Sequence, residues 1–470
     1  QGEEVTVYIG DNLIGNSPQS FQFRVASDDL GSEVLDYESM IIDNVAGLPY
    51  RVVAANLDGD AELEIASING DDAEVAWYKQ DGTKSVIFTN ANQGRDITAA
   101  DLDQDGDVDL VTASFGNNRI DWFENDGSGG FTTNNISTIV TSATKVVVAD
   151  VDGDLDLDII SASRADNEIY LHENDGSQNF TRSTIVDQDS PSLRPWNIDV
   201  GDLDQDGDVD IVVGSSSDGI FYFINDGSNN FTNNTLETNS GTWGVKMVDM
   251  ENDGDVDIVA AIKDEDEIVW FENDGSLNFT RNVILTGIIA PRRAIPADLN
   301  GDGDIDIAYS ASDDDLIGVL INDGSQNFTD QVIDTGINFA IGLTPVDLNN
   351  NNRLDLLVGL GGGQDNIAVY ENRVNSWTGA VDTAWEDTGN WTIPTLPTNN
   401  DVLGIPDQPN DPVINSNAKA ANIGIRSGAV VTVNSEWSLQ VEESIDNDGR
   451  IIFKSDDSGI ATSTSGQLGE

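Results

Sequence analysis

The chain has 470 residues, 85 of them acidic and 21 basic, and a formal charge of −64. A field of that sign repels nucleic acid and anionic membrane surface, because both need Lys and Arg to neutralise phosphate, so neither is an expected partner. Apolar residues make up 38% and recur in short β-rich runs, which excludes an acidic disordered chain.

No apolar run approaches the ~18 residues of a membrane span, so no membrane insertion is expected. Cysteine is absent, so a loop-rich chain needs another staple, and metal is the obvious one. The text is strand-like both at Gln1 and from Ser465 to Glu470, and the expectation is a piece of a longer polypeptide.

In chain order, residues 1–33 alternate apolar and polar at Val5 to Ile9 and Phe21 to Val25, as the last strands of an Ig-like sandwich or a linker would. Tyr37 to Asp43 then forms a lone strand. After it a phrase recurs seven times: NLDGDAELE from Asn56, DLDQDGDVD from Asp101, DVDGDLDLD from Asp150, DLDQDGDVD from Asp202, DMENDGDVD from Asp249, DLNGDGDID from Asp298 and DLNNNNRLD from Asp347. The starts lie 45, 49, 52, 47, 49 and 49 residues apart, the spacing of a four-stranded propeller blade.

The second unit shows the strand grammar. Ile97 to Ala100 enters the acidic loop and Val108 to Ser114 leaves it. A turn at Gly116-Asn117-Asn118 leads to Arg119 to Glu124, and Asn125-Asp126-Gly127-Ser128 makes a hairpin turn of the type Asp-Gly favours before a fourth strand from Phe131. The seventh unit stops after three strands, near Asn372. Tyr37 to Asp43 resembles the fourth strand of other units, such as Phe180 to Asp187, and is expected to complete the last blade and remove the exposed edges.

The loops carry the chemistry. Calcium takes 6–8 oxygens at roughly 2.3–2.6 Å. Side chains at loop positions 1, 3 and 5 can converge on one point, with a backbone carbonyl from position 7 and a carboxylate from position 9. The candidate ligand positions, loop by loop, are Asn56, Asp58, Asp60, Glu62 and Glu64; Asp101, Asp103, Asp105, Asp107 and Asp109; Asp150, Asp152, Asp154, Asp156 and Asp158; Asp202, Asp204, Asp206, Asp208 and Asp210; Asp249, Glu251, Asp253, Asp255 and Asp257; Asp298, Asn300, Asp302, Asp304 and Asp306; and Asp347, Asn349, Asn351, Arg353 and Asp355. Up to seven calcium ions follow, one per blade. The site at Asp347 is expected to be weakest, since only Asp347 and Asp355 among its side-chain ligands are charged. An EF-hand needs a Glu at position 12 and flanking helices. Here position 12 is Ser67, Thr112, Ser161, Val213, Ala260, Tyr309 and Val358, and the flanks alternate like strands.

On these loops the chain resembles the FG-GAP/VCBS repeat family, calcium-loop propellers related to the head of integrin α subunits. The resemblance covers about residues 36–373. It implies an all-β fold, a seven-bladed β-propeller with N-terminal strand closure and structural metals on one face. The FG-GAP phrase itself is poorly kept, so no integrin-like ligand site is carried over.

From Ser376 to the C-terminus (376–470) the text resembles a module of large secreted proteins of Bacteroidota. It is marked by Trp377, Trp385, Asn390-Trp391, Pro397, Asp401-Val402, Ile405-Pro406 and Pro412-Val413-Ile414. Short rungs at Ala421 to Ile425, Ala429 to Val433, Ser438 to Val441 and Arg450 to Phe453 suggest a small β-helix or β-solenoid.

The single histidine, His172, aligns with Phe123 and Phe271 and reads as a packed blade residue, so His-based triads and His-rich zinc sites are excluded. Trp77, Trp122 and Trp270 at matching third-strand positions read as packing between blades, with sugar stacking the alternative. Asn-Phe-Thr at Asn179, Asn230, Asn278 and Asn327 matches the glycosylation sequon, but the repeat itself explains it.

The expected function is a non-enzymatic, secreted, extracellular or cell-surface module, stabilised by calcium and serving adhesion, binding or structure. Its expected partners are a glycan or protein on another surface, neighbouring domains of the same polypeptide, and other copies in an appendage. The alternatives are a calcium-dependent carbohydrate-active enzyme of polysaccharide lyase type, which would need a Lys, Arg or Tyr set facing the central channel, and a pure spacer. Arg292-Arg293 is the one adjacent basic pair.

Overall fold

The computed structural model describes residues 4–6, 22–24, 35, 37–186, 193–349, 353–372 and, with short interruptions, 375–453. Seven four-stranded antiparallel sheets follow one another from residue 37 to 372. In the second, Gly94–Ala100, Asp109–Ser114, Arg119–Asn125 and Phe131–Ser137 pair in sequence order. The seventh is built from Ala340–Val346, Asp355–Leu360 and Asn366–Asn372, and its fourth strand is Tyr37–Asp43, which closes the ring as expected. The first strands of successive blades touch in cyclic order, and the seventh returns to the first, Pro49–Ala55.

The second strand of every blade is buried along its whole length, which is why these segments read as continuous apolar runs and not as alternations. The core lies between blades. Trp77 and Ile97 share a cluster with Phe123 across blades one and two, and Val151 and Ile160 with Phe221 across blades three and four. Trp77, Trp122 and Trp270 are each less than a tenth exposed, in keeping with packing between blades. His172 is buried too. Its Nε2 lies 2.9 Å from Ser161 Oγ, and burial holds its pKa down to about 4.

The hairpin after the third strand differs from the expected tight Asp-Gly turn. Asn125 pairs with Phe131, so five residues form the connection. The Asp126 carboxylate organises it by accepting the N–H groups of Ser128 (2.9 Å) and Gly130 (3.0 Å), and Gly127 and Gly129 both adopt positive φ.

Of residues 1–33, the described part is one antiparallel pair, Glu4–Thr6 with Gln22–Arg24; the rest of the proposed Ig-like segment lies outside the described residues. The C-terminal region pairs in parallel. Asn375–Ser376, Val402–Ile405, Asn417–Ile425 and Ser438–Asn447 form one sheet, and Val413–Ile414, Val430–Val433 and Arg450–Phe453 the other. Trp377, Trp385 and Trp391 head its core. Asn390, fully buried, explains the Asn-Trp signature: its Oδ1 accepts the N–H groups of Val381 and Asp382, and its Nδ2 donates to Asp382 Oδ1 and Ala384 O. Asp401 and Pro406 of the signature lie outside the described residues. No helix among the described residues is long and apolar enough to cross a membrane.

Candidate metal centres in the acidic loops

Each loop joins the first strand of a blade to the second, and its shape follows from carboxylates accepting backbone N–H groups. Position 5 accepts from position 7, as in Asp105 to the Asp107 N–H (2.9 Å) and Asp206 to the Asp208 N–H (3.0 Å). Position 1 accepts from position 6, as in Asp101 to Gly106, Asp202 to Gly207 and Asp249 to Gly254. Position 6 needs positive φ, supplied by Gly106, Gly207, Gly254 and Gly303. Position 4 needs it as well, which sequence reading missed: Gln104, Gln205 and Asn252 are left-handed there, and so are Gly59, Gly153 and Gly301. In the third loop Leu155 occupies position 6 at φ 79° with its side chain 79% exposed.

Position 9 is the closer. Glu64, Asp109, Asp158, Asp210, Asp257, Asp306 and Asp355 are all buried. In each, one oxygen accepts the N–H of position 2: from Leu57, Leu102, Val151, Leu203, Met250, Leu299 and Leu348. In blades two to six the other oxygen accepts the N–H of the Asn that ends the third strand: Asn125, Asn174, Asn225, Asn273 or Asn322. These asparagines form a latch that sequence reading assigned wholly to the turn. Asn125 Nδ2 donates to Leu57 O of the preceding blade, Asn225 to Val151 O and Asn273 to Leu203 O. In blade one Gln80 does the same to Leu348 O (2.8 Å) across the ring closure. The repetition of Asn in every Asn-Asp-Gly-Ser phrase was the available signal.

Acid oxygens converge within 4.8 Å of one another in five loops: Asp58, Asp60 and Glu64; Asp101, Asp103 and Asp105; Asp150, Asp152 and Asp158; Asp202, Asp204 and Asp206; Asp249, Glu251 and Asp257. Asn56 turns inward on its own loop instead, with its Oδ1 accepting the Gly59 N–H and its Nδ2 donating to Asp60 O. Asp154 and Asp253 accept the N–H groups of Asp156 and Asp255.

The position-7 side chains stay out of these trios. Those of Asp107, Asp156, Asp208, Asp255 and Asp304 lie so close to the hairpin glycines, Gly127, Gly176, Gly227, Gly275 and Gly324, that a Cβ there would collide with them. Glu62 at the same position is exposed, and its N–H donates to Asp60.

In the sixth loop Asn300 Nδ2 is bonded to Asp302 Oδ2 (2.9 Å), beside Asp298 and the buried Asp306. In the seventh Asn349 Nδ2 donates to Glu371, Arg353 is buried, and Asn351 lies outside the described residues. Neither loop forms a trio of acid oxygens among the described residues. The first loop carries its own cation: Lys79 Nζ is hydrogen-bonded to Asp58 and lies 3.7 Å from Asp60.

Burial raises the pKa of Glu64 and Asp257, takes Asp109, Asp158 and Asp210 up to about 6, and takes Asp306 up to about 8. Glu251 is pushed up to about 8 by burial and then by Asp257 beside it. Asp103, Asp152 and Asp204 are raised by burial and by the neighbouring carboxylates. Among the described residues Asp101 Oδ1, Asp204 Oδ1 and Glu251 Oε2 are buried with no hydrogen-bond donor. Orphaned, crowded, all-oxygen donors of this kind fit a hard divalent cation, which would supply the missing partner.

Comparison with known proteins agrees with the repeat and the fold. A family model described as FG-GAP-like repeat matches residues 56–112, 101–161, 150–213, 202–260, 249–309 and 298–358. Residues 376–469 match a domain of unknown function, DUF8693. No curated protein matches. Solved structures of similar fold include virginiamycin B lyase from Staphylococcus aureus (TM-score 0.53, 13% identity, covering 72% of this chain and 99% of that one). A streptogramin B lyase (0.52, 15%, 72% and 98%) and BBS1N in complex with ARL6DN (0.50, 12%, 72% and 96%) are also similar. At these identities the likeness is one of fold alone.

Proposed function

Because the chain belongs to the FG-GAP-like repeat family, we propose that it is a non-enzymatic, calcium-stabilised module of a large secreted cell-surface or appendage protein, serving binding, adhesion or structure. Its propeller spans 36–373, between an Ig-like segment and a β-solenoid. The observation that carries the calcium reading is the set of buried acid oxygens without donors inside converging trios. Side chains at positions 1, 3, 5 and 9 hold the ion, with the carbonyl of position 7. When bound, it supplies charge neutralisation and cross-links the two ends of each loop. The first loop, with Lys79 inside it, and the seventh, with Arg353 and Asn349, are the weakest.

At roughly 10⁻⁴–10⁻³ M affinity, as in extracellular modules, and ~10 mM calcium, each filled site adds about 1.4–2.7 kcal/mol of stability by mass action. The non-catalytic reading is supported by the burial of His172 and by acid clusters already committed to loop closure. Calcium titration followed by calorimetry tests the reading: saturable uptake at several sites per chain is expected, and no uptake at millimolar calcium would sink it. Product release from acidic polysaccharides would favour the lyase alternative instead.

A further inference from the structure

The first strand of each blade runs from one face of the ring to the acidic loop on the other, so its opening residues lie some ~20 Å from the loops. There the sparse cations of this acidic chain gather with aromatic rings. The Arg95 guanidinium lies 3.9 Å from the Tyr50 ring centroid in blade one and 5.8 Å from that of Trp196 in blade four, so it spans the channel mouth. Arg164 lies over the same Trp196 (5.4 Å). Trp196 stacks on Trp243 (6.2 Å between centroids, planes 30° apart), and Arg292 sits 4.3 Å from both Trp243 and Phe339.

What these arginines lack is an anion. Among the described residues neither Arg95 nor Arg292 makes an ion pair, and the Nε of each is buried without an acceptor, although the chain has 85 acids to 21 bases. Arg292 is 8% exposed. Burial lowers the pKa of both to about 10, and for Arg95 the charges of Arg292 and Arg164 add to the effect. Asp313 acts on Arg292 from a distance without pairing with it, and Asp96 is already held by Lys145 (2.8 Å), the Val146 N–H (3.0 Å) and Arg51 (3.9 Å). The space between Arg95, Tyr50, Trp196 and Arg293 holds only about 10 Å³, so a ligand rests on the mouth and does not enter it, and an open depression of about 270 Å³ is lined by Ser142, Arg164, Ala165 and Arg194. Burying several cations without a counter-charge is costly, and a bound anion removes the cost.

We propose that the channel mouth, centred on Arg95, Arg292, Trp196 and Trp243, binds a saccharide residue bearing one carboxylate. The indole pair is half-exposed, and with its rings already stacked on each other and on Arg95, Arg164, Arg292 and Lys263 it offers apolar contact beside the cations, while the guanidiniums take the carboxylate. The charge of −64 repels a polyanion, so a singly charged residue suits the site better than a densely acidic chain. The inference rests on the reading of the chain as a binding module but not on its loops.

Calorimetry on the full chain in saturating calcium, with glucuronate, N-acetylneuraminate, glucose, inorganic sulfate and a short acidic peptide as probes, tests it. Saturable binding of an acidic sugar, absent for glucose and weakened at least tenfold by Arg292→Gln or Trp243→Ala, is the expected result. Arg164→Gln serves if Arg292→Gln does not fold. No binding of either acidic sugar, or binding that these variants leave unchanged, overturns the proposal. Binding of sulfate or peptide alone overturns the saccharide assignment. Failure of the calcium reading would show separately, as melting indifferent to a chelator.

Discussion

Asn273→Ala isolates the latch between blades. Asn273 is 2% exposed. Its Nδ2 donates to Leu203 O of the preceding blade (3.3 Å) and to Val256 O (3.0 Å), and its Oδ1 accepts the Leu277 N–H (3.0 Å). The substitution removes all three bonds and leaves buried carbonyls unpaired. At about 0.5–1.5 kcal/mol net for each bond, the cost is about 2–4 kcal/mol. The natural control is Asn278→Ala. Asn278 sits five residues on in the same turn, and its side chain bonds only the exposed Asp274, so its loss costs roughly 0.5 kcal/mol or less. Urea unfolding of both variants, in calcium and in chelator, reads the difference. The latch deficit persists in both solutions because no metal takes part in it. Equal effects from the two variants, or a deficit for Asn273→Ala that vanishes in chelator, would refute the reasoning.

Asp206→Ala removes an exposed ligand that accepts one backbone N–H, that of Asp208, so it should be nearly silent in chelator and cost about 1–3 kcal/mol in ~10 mM calcium, read from paired urea curves. Leu155→Gly should stabilise by roughly 0.5–1 kcal/mol, since the left-handed φ strains leucine and its exposed side chain packs on little; a lower urea midpoint would contradict this. In chelator, stability should fall as pH rises from about 4 to about 6, and further toward about 8 through Asp306 and Glu251. Asp109, Asp158 and Asp210 titrate near 6 when folded and near 3.8 when unfolded, so folding binds protons in that window, and the stability they lend is present below it and lost above. Melting temperatures across pH 4–7 check the sign, and calcium should abolish the fall.

The ring was legible because its acidic phrase repeats in register and because a missing fourth strand at Asn372 had its counterpart at Tyr37. Strand starts were less so. Gly94 to Asp96 belong to the first strand of blade two, yet Gly and charge are poor strand formers, and only pairing with Ala113 and Ser114 extends the ladder to them. Clustering of acids is visible in the loop text, whereas closure of the cluster from behind is not. That Asp210 faces Asn225 depends on the third strand returning to the loop, a contact 15 residues away that no local pattern displays. The left-handed position 4 was half hidden: Gly59, Gly153 and Gly301 signal it, but Gln104, Gln205 and Asn252 stand there in the other loops. The basic mouth was invisible for a related reason. Arg95, Trp196, Trp243 and Arg292 are scattered singly through the text, and only closure of the ring brings them together.

The most direct test of the account is the melting temperature of the full chain with calcium, with magnesium and with chelator, alongside the number of calcium ions bound. Several ions per chain and a midpoint that climbs with calcium concentration are predicted, with magnesium much less effective because it demands tighter octahedral geometry. A midpoint that ignores calcium, with no ion retained, would contradict the claim that divalent cations hold these loops.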